Sequence, residues 1–346
     1  MHYEEAFNTG CPILPRSLRK GGIARLFAHF SINHRKWVPL VSILRPGIAR
    51  IIDACPILPR FLWKGGIARI IALSLLCATL AAAQNAAPRR TYVGFDRDDY
   101  PSDAALSALR KDFRFTGYWL NNPPGFEHNT WTGKRALLKR HGFGFLVLFN
   151  GRLYAELKST DPAALGTADG KAAAAAALRE GFARNTLIFL DQEEGGGLLP
   201  EQAAYIFAWA SAVRAAGARA GVYCSAIDVK SGEAAISTAR DIVQRETVQP
   251  DRAQPHIKLW IANDQCPPAP GCTLAAPPLA AALTPELAPS TLVWQYAQSP
   301  RRAQFTAQCP ANYAPNGNCY APATPQSADT FVDLDVSASP SPSEQP

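Results

Sequence analysis

Eight short apolar runs rich in β-branched and aromatic residues alternate with helix-forming stretches along most of this sequence. Helix-forming stretches follow the early runs, at residues 102–111, 132–141, 168–184, 200–216 and 231–244. The apolar runs occupy residues 91–96, 115–120, 143–149, 186–193, 220–225, 257–263, 291–297 and 331–336. Regular alternation of strand and helix is typical of a parallel sheet. Eight strands suit a closed barrel, with an open doubly wound sheet as the alternative.

The last third of the chain departs from this alternation. The segments after Asn263 and after Ala297 are rich in proline and only weakly helical. We therefore predict an α/β fold with a TIM-like (β/α) barrel over residues 91–336, built from five β/α units followed by three strands with irregular connections. Residues 337–346 read SASPSPSEQP, and their composition predicts a disordered tail.

The positive charge of the chain lies in its leader. The whole sequence has a net charge of +7, whereas residues 1–83 alone carry +8 and residues 84–346 carry −1. Because the barrel region is nearly neutral, we do not expect nucleic acid as a partner. The longest apolar run, residues 70–83, is shorter than the ~20 residues that a spanning helix needs. This excludes a multi-pass membrane protein.

The leader has the pattern of an export signal. Residues 11–25 and 55–69 agree at 13 of 15 positions, which indicates duplicated DNA rather than a structural repeat. Basic residues, an apolar run and small residues up to Ala83 follow the second copy, as in a secretory signal peptide. We interpret residues 1–57 as an extension outside the native protein, 58–83 as the signal peptide and 84–90 as a linker. Translation would then start near Leu58 or Leu62, and an unprocessed signal anchor is the alternative.

Export implies an oxidising compartment, and five cysteines remain after the leader. We expect a secreted or periplasmic monomer with no membrane span after signal cleavage. Cys266 and Cys272 bracket one short proline-rich loop and Cys309 and Cys319 another, so both pairs are predicted to form loop-closing disulfides, although spacing alone leaves the connectivity open. Cys224 lies in an apolar run and is predicted to be a buried free thiol. The Cys and His spacing matches no zinc site, so no metal or other cofactor is expected.

Carboxylates recur where the predicted strands end. Asp96 ends the first run, Asp191 and Glu193 end the fourth, and Asp333 and Asp335 lie in the eighth. Catalytic groups of (β/α) barrels lie at the C-terminal ends of strands. Residues two apart on a strand share a face, with Cα atoms ~6.5–7 Å apart.

Two acids sharing a pocket separate in pKa, so one can stay protonated as a general acid while the other stays ionised. Glycoside hydrolysis needs this division of labour. Three glycines, residues 195–197, follow the fourth run and are expected to leave room for a ligand. A solvated loop is the alternative interpretation of the triplet Asp191–Gln192–Glu193.

Six motifs in a fixed order resemble a known family. They are GFDRDDY (94–100), FLDQEEG (189–195), GVYCS (221–225), LWIAN (259–263), WQYA (294–297) and VDLDV (332–336). The sequence is similar to bacterial glycoside-hydrolase-like TIM-barrel domains, distant relatives of the family 25 lysozymes (N-acetylmuramidases). The resemblance implies that Glu193 is the general acid, that Asp191 assists the N-acetyl group of the substrate, and that Asp96 is a third catalytic acid.

The predicted substrate-binding residues combine what the resemblance implies with aromatic side chains that suit sugar rings. They are Tyr223, Trp260, Gln295, Asp333, Asp335 and Trp119. Two departures from the lysozyme pattern are the additional Glu194 and Asp335, which stands where those enzymes usually have Asn. We expect an exported protein that cleaves peptidoglycan-type N-acetylated glycans. The alternative is a non-catalytic glycan-binding or envelope-associated protein on the same barrel.

Overall fold

The computed structural model describes residues 90–231, 234–248, 256–264, 284–298 and 332–344. The predicted extension, signal peptide and nearly all of the linker, together with the four cysteines of the predicted disulfides, lie outside these residues. The described strands are β1 (Tyr92–Asp96), β2 (Phe115–Trp119), β3 (Gly144–Asn150), β4 (Leu187–Asp191), β5 (Arg219–Ser225), β6 (Val229–Ser231), β7 (Ala234–Ile236), β8 (Lys258–Ala262), β9 (Thr291–Ala297) and β10 (Asp333–Ser337). The described helices are α1 (Leu106–Asp112), α2 (Arg135–Arg140), α3 (Tyr154–Leu157), α4 (Pro162–Arg179), α5 (Pro200–Ala215) and α6 (Thr238–Val248).

Eight of the strands close into a barrel, which confirms the predicted fold class. Their order around the barrel is β1, β2, β3, β4, β5, β8, β9, β10 and back to β1. The remaining two, β6 and β7, form a separate antiparallel hairpin that follows β5. The closed order excludes the doubly wound alternative.

The strand β10 runs against its neighbours, which the prediction of a parallel sheet did not include. It pairs antiparallel with both β1 and β9, whereas the other neighbouring strands of the barrel are parallel. An antiparallel strand begins at the end of the sheet where its predecessor finishes, so the chain need not cross back along the barrel. The beginning of β10 therefore lies beside the C-terminal ends of the other seven strands. We call this end of the barrel the mouth.

Small and large side chains alternate across the barrel interior. A Cβ added to Gly94 would lie 2.0 Å from the ring of Phe115, and one added to Gly221 would lie 2.6 Å from the ring of Phe189. Both rings are fully buried. Pairing a glycine with a large ring on a neighbouring strand lets the ring fill the interior of a closed barrel.

The prediction of a disordered tail is wrong for residues 337–344. Ser337 ends β10, and Pro342–Glu344 form a 3-10 helix. The hydroxyl oxygens of Ser341 and Ser343 accept hydrogen bonds from the backbone N–H groups of Phe145 (3.1 Å) and Val147 (2.9 Å) near the start of β3. An ion pair of 2.9 Å joins Glu344 to Arg135. Serines that suggest disorder by composition thus serve here as acceptors for buried strand amides.

Replacing Ser343 by alanine is expected to destabilise the barrel by about 1–3 kcal/mol, because the buried amide of Val147 loses its acceptor. Urea unfolding followed by circular dichroism measures this change. The control is Ser107→Ala on the exposed side of α1, which should shift the free energy of unfolding by no more than ~0.5 kcal/mol. Equal effects of both substitutions would contradict the role given to the tail.

Candidate functional site

A hydrogen-bonded network inside the barrel mouth centres on the side chain of Gln295. Its Nε2 donates to Asp96 Oδ2 (2.7 Å) and to Asp333 Oδ2 (3.3 Å). Its Oε1 accepts from Tyr223 Oη (2.8 Å) and from Gln298 Nε2 (2.6 Å). All of these side chains are buried. Two donated and two accepted bonds use the full capacity of the amide, so its orientation is fixed by its neighbours.

Strand register explains why these residues meet. Asp96 at the end of β1 lies opposite Asp333 at the beginning of β10. Gln295 on β9 lies opposite Asp335 on β10 and opposite Ala262 on β8. The predicted residues Asp96, Asp333, Gln295 and Tyr223 are therefore brought together by the structure. Their contacts join β1, β9 and β10 to β5, which lies on the other side of β8.

Trp260 and Asp335 border this network on the inside of the barrel. The indole Nε1 of Trp260 donates to Asp335 Oδ1 at 2.9 Å. Its ring packs edge-on against Tyr223, with centroids 4.8 Å apart, and against Phe189 at 5.8 Å. Both Trp260 and Asp335 are fully buried.

Oδ2 of Asp335 is buried and receives no hydrogen bond from the described residues, and the carboxyl group of Asp96 lies close enough to interact with it. Burial raises the pKa of Asp335 well above its ordinary value, and the negative charges of Asp96 and Asp333 raise that pKa further.

The acidic pair predicted on the fourth strand lies at the mouth. Asp191 is the last residue of β4 and lies in register with Asn150 and Tyr223. Phe189, two residues earlier, contacts the ring of Trp260 inside the barrel, so Asp191 shares the interior face. Glu193 follows the strand, and the two side chains are only 2% and 5% exposed. The pair is therefore removed from bulk water, unlike the solvated-loop alternative.

Glu194 is held by the outer helices. Its Oε2 accepts from the backbone N–H of Tyr154 at the start of α3 (2.8 Å) and from Nε2 of Gln202 on α5 (2.6 Å). The additional acid of this sequence thus joins β4 to two helices. It satisfies an amide at the first turn of α3 that has no partner within that helix.

The glycines after Glu194 do not leave open space along their whole length, contrary to the prediction. A Cβ added to Gly197 would lie 3.1 Å from Ile236 on β7, and Gly196, at φ +90°, lies beside Val229 on β6. Thr238 Oγ1 donates to the carbonyl of Gly196 at 2.7 Å. Gly196 and Gly197 therefore let the loop pack against the β6–β7 hairpin and α6.

Trp119 is fully buried, and its indole Nε1 donates to the carbonyl of Arg97 at 3.0 Å. The indole Nε1 of Trp131 likewise donates a hydrogen bond to the carbonyl of Asp98 at 2.9 Å. The two tryptophans hold the loop that follows β1. This contact gives Trp119 a structural role at the mouth and leaves it out of the substrate-binding set argued below.

Sequence reasoning missed Gln298 as a member of the network. It is buried, and its Nε2 donates to Gln295 Oε1 and, at 3.3 Å, to Tyr223 Oη. Glutamine just past a strand end is common, and its spacing from Gln295 carries no recognisable pattern. Cys224 is a buried free thiol as predicted, and burial raises its pKa.

The described part of the chain contains neither a candidate metal cluster nor a candidate membrane-spanning helix. Among its residues, no group of three or more His, Cys, Asp or Glu side chains could hold a metal ion. None of the helices in that part of the chain combines the length and apolar character that crossing a membrane requires.

Comparison with known families matches residues 112–269 to the Rv2525c-like, glycoside hydrolase-like domain. This match confirms the resemblance to bacterial glycoside-hydrolase-like domains. It covers the region from the end of α1 to just beyond β8. No curated protein gives a significant match to the chain.

Several solved structures are similar to this chain. An uncharacterized protein of B. stearothermophilus is 19% identical, with 71% of this chain and 95% of that chain covered and a TM-score of 0.46. The Tat-secreted protein Rv2525c of Mycobacterium tuberculosis is 10% identical, with 72% and 95% covered and a TM-score of 0.40. The modular autolysin LytC of Streptococcus pneumoniae is 12% identical, with 72% and 47% covered and a TM-score of 0.38. Similarity at this level concerns the fold alone.

Proposed function

We propose that this glycoside hydrolase-like domain cleaves a glycosidic bond beside an N-acetylated sugar in peptidoglycan-type glycans. The observation that carries the proposal is the burial of Asp191 and Glu193 together at the C-terminal end of β4, next to the network around Gln295. Glu193 is the general acid, Asp191 is its ionised partner, and Asp96 is the third acid of the site. No metal or organic cofactor takes part.

The chemistry follows from two carboxyl groups in different protonation states. Protonated Glu193 gives its proton to the glycosidic oxygen as the bond to the anomeric carbon breaks, and the leaving sugar departs with a free hydroxyl. Asp191 accepts a hydrogen bond from the N–H of the N-acetyl group, whose carbonyl oxygen then bonds to the anomeric carbon. Water gives a proton back to Glu193 and its oxygen to the anomeric carbon, which releases the second sugar and restores the N-acetyl group.

The position of Glu193 relative to Asp191 is supported by the residues on either side of it. The backbone N–H of Gln192 donates to the carbonyl of Tyr223 at 2.9 Å, which continues the β4–β5 ladder one residue past the strand. Glu194 faces the outer helices α3 and α5. An extended chain alternates its faces, so Glu193 is expected on the same side as Asp191, toward the barrel axis.

The predicted substrate-binding residues divide into two groups in this proposal. Tyr223, Gln295 and Asp333 form the wall beside the acids because they lie in the mouth layer. Trp260 has its indole N–H bound to Asp335 and its ring packed against Tyr223, so it supports the wall rather than stacking on a sugar. The substrate contacts come from groups at the mouth layer.

We also propose that the protein is exported as a monomer to the periplasm or the cell exterior. The signal-peptide pattern of residues 58–83 and the near-neutral charge of residues 84–346 support this. Export would place the protein in the same compartment as its proposed substrate, because peptidoglycan lies outside the cytoplasmic membrane.

The proposal is tested by incubating the protein with purified peptidoglycan and measuring new reducing ends, with mass spectrometry of the soluble fragments. We expect reducing ends on N-acetylated sugars to accumulate with time. Sedimentation of the protein with the same peptidoglycan, measured in parallel, separates the alternative function. If the protein bound peptidoglycan without releasing reducing ends, the hydrolase proposal would be wrong, and the alternative, a non-catalytic glycan-binding protein, would take its place.

A further inference from the structure

Asp335 and Asp96 face each other inside the barrel because of the β1–β10 register. Asp335 lies opposite Gly94, and Asp333 lies opposite Asp96. Asp335 and Asp96 are thus diagonal neighbours on one face of an antiparallel pair.

The contact requires a proton. Both side chains are 0% exposed, the two carboxyl groups interact with each other, and Asp335 Oδ2 has no N–H or O–H donor among the described residues. An ionised carboxylate only accepts hydrogen bonds, so one of the two groups must be protonated to donate. Two buried carboxylates in contact would also repel each other strongly in the low-dielectric interior.

The other partners of the two groups indicate which one carries the proton. Asp96 Oδ2 accepts from Gln295 Nε2 at 2.7 Å, and the same nitrogen also reaches Asp333. Asp335 lies further from the mouth than Asp96 along the β1–β10 pair, and the donor that the described residues give its Oδ1 is the neutral indole N–H of Trp260. The charged groups that face it are Asp96 on β1 and Asp333 on its own strand. Asp335 lies deeper and has two anionic neighbours, so its ionisation would cost more free energy than that of Asp96.

We propose that Asp335 is a neutral carboxylic acid that donates a hydrogen bond to Asp96 and thereby acts as the positioning residue for that carboxylate. Burial and the neighbouring negative charges raise the pKa of Asp335, in agreement with this assignment. The proposal takes Asp335 out of the substrate-binding set. It goes beyond the proposed function because it assigns a protonation state that exists with or without turnover.

The direct test is infrared spectroscopy of the protein at neutral pH, which separates the carbonyl band of a protonated carboxylic acid from that of carboxylates. The Glu193→Gln protein is used as the background, so that a protonated Glu193 cannot contribute to the band. We expect a protonated-carboxyl band that shifts in D₂O and is absent from the Glu193→Gln, Asp335→Asn double variant. We also expect this band to persist when Asp96→Asn is combined with Glu193→Gln, because burial alone still favours neutral Asp335.

Each other outcome overturns the assignment. If the Glu193→Gln protein lacked the protonated-carboxyl band, Asp335 would be ionised, irrespective of the spectra of the double variants. Loss of the band with Asp96→Asn and its survival with Asp335→Asn would place the proton on Asp96. Neither result depends on hydrolysis, so failure of this proposal and failure of the proposed function are distinguishable.

Two substitutions of Asp335 separate positioning from simple filling of space. Asparagine can donate to Asp96 and accept from Trp260, as the neutral acid does, so at pH ~4 Asp335→Asn should keep the wild-type melting temperature, and its hydrolytic rate should stay within about threefold of wild type. At the same pH, Asp335→Leu keeps the number and branching of the side-chain heavy atoms but has no donor or acceptor, and it should lower the melting temperature by about 5 °C. If the leucine variant matched the asparagine variant in both measurements, Asp335 would not position Asp96.

The pH dependence of stability gives an independent measurement. A carboxyl group whose pKa is higher in the folded than in the unfolded chain binds more protons when folded, so the folded state loses stability as pH rises above the unfolded value near 3.8. Asp335→Asn removes this loss. We therefore expect the stability advantage of Asp335→Asn over wild type to grow from pH ~4 toward pH ~7 in urea unfolding. An advantage that stays constant, or shrinks, with rising pH contradicts a neutral Asp335.

Discussion

Glu193→Gln is expected to lower the rate at which reducing ends are released from peptidoglycan by ~10²-fold or more. Glutamine has nearly the same shape as glutamic acid but cannot give a proton to the glycosidic oxygen. Because Glu193 is 5% exposed, the substitution leaves the surface of the protein nearly unchanged. Initial rates at saturating peptidoglycan, with binding measured by sedimentation, separate a loss of chemistry from a loss of affinity.

The matched control is the same substitution one residue further along. Glu194→Gln alters a carboxylate that accepts hydrogen bonds from Tyr154 and Gln202 and that the proposal places outside the reaction. Its rate should stay within a few-fold of wild type after correction for folded protein. Equal losses from the two substitutions would show that the region tolerates no change, and would remove the assignment of Glu193 as the acid.

Gln295→Ala should destabilise the barrel by about 3 kcal/mol or more, since truncation leaves several buried groups without a partner. The side chain serves Asp96 and Asp333 as donor and Tyr223 and Gln298 as acceptor. Each buried group that loses its hydrogen bond costs about 1–3 kcal/mol. The free energy of unfolding in urea, extrapolated to water, measures the effect.

Gln244→Ala on the exposed side of α6 controls for the chemistry of the substitution. It changes the same side chain in a helix, where alanine is well tolerated, and should alter stability by no more than ~0.5 kcal/mol. A loss of less than 1 kcal/mol in Gln295→Ala would mean that water or a rearranged neighbour replaces the amide. The network would then be a consequence of the fold rather than one of its stabilising parts.

The barrel could be predicted because its signals are local. Each strand is a short apolar run, and helices separate the early ones, so the number of units and the change after the fifth are visible in sequence. Strand direction has no such signal, since the period-two pattern of β10 reads the same in both directions. The tail shows a second limit, because Ser341 and Ser343 find acceptor roles only once β3 presents its amides.

The candidate site divides in the same way. Asp96, Asp191 and Glu193 follow apolar runs, which is enough to place them at strand ends. Gln298, by contrast, matters only because Gln295 and Tyr223 meet across the barrel. The different environments of Glu193 and Glu194 were equally hidden, since neighbouring identical residues can be told apart only by what packs on each side. Contacts between residues far apart in sequence decide both cases.

The central claim is that Asp191 and Glu193 act on one sugar in one cavity at the barrel mouth. A crystal structure of the Glu193→Gln protein soaked with an oligosaccharide of N-acetylglucosamine tests it most directly. We predict a glycosidic oxygen within hydrogen-bond distance of the substituted side chain and the N-acetyl N–H of the adjoining sugar on Asp191. A saccharide bound elsewhere, or the side chains of residues 191 and 193 on opposite sides of the backbone, would contradict the account.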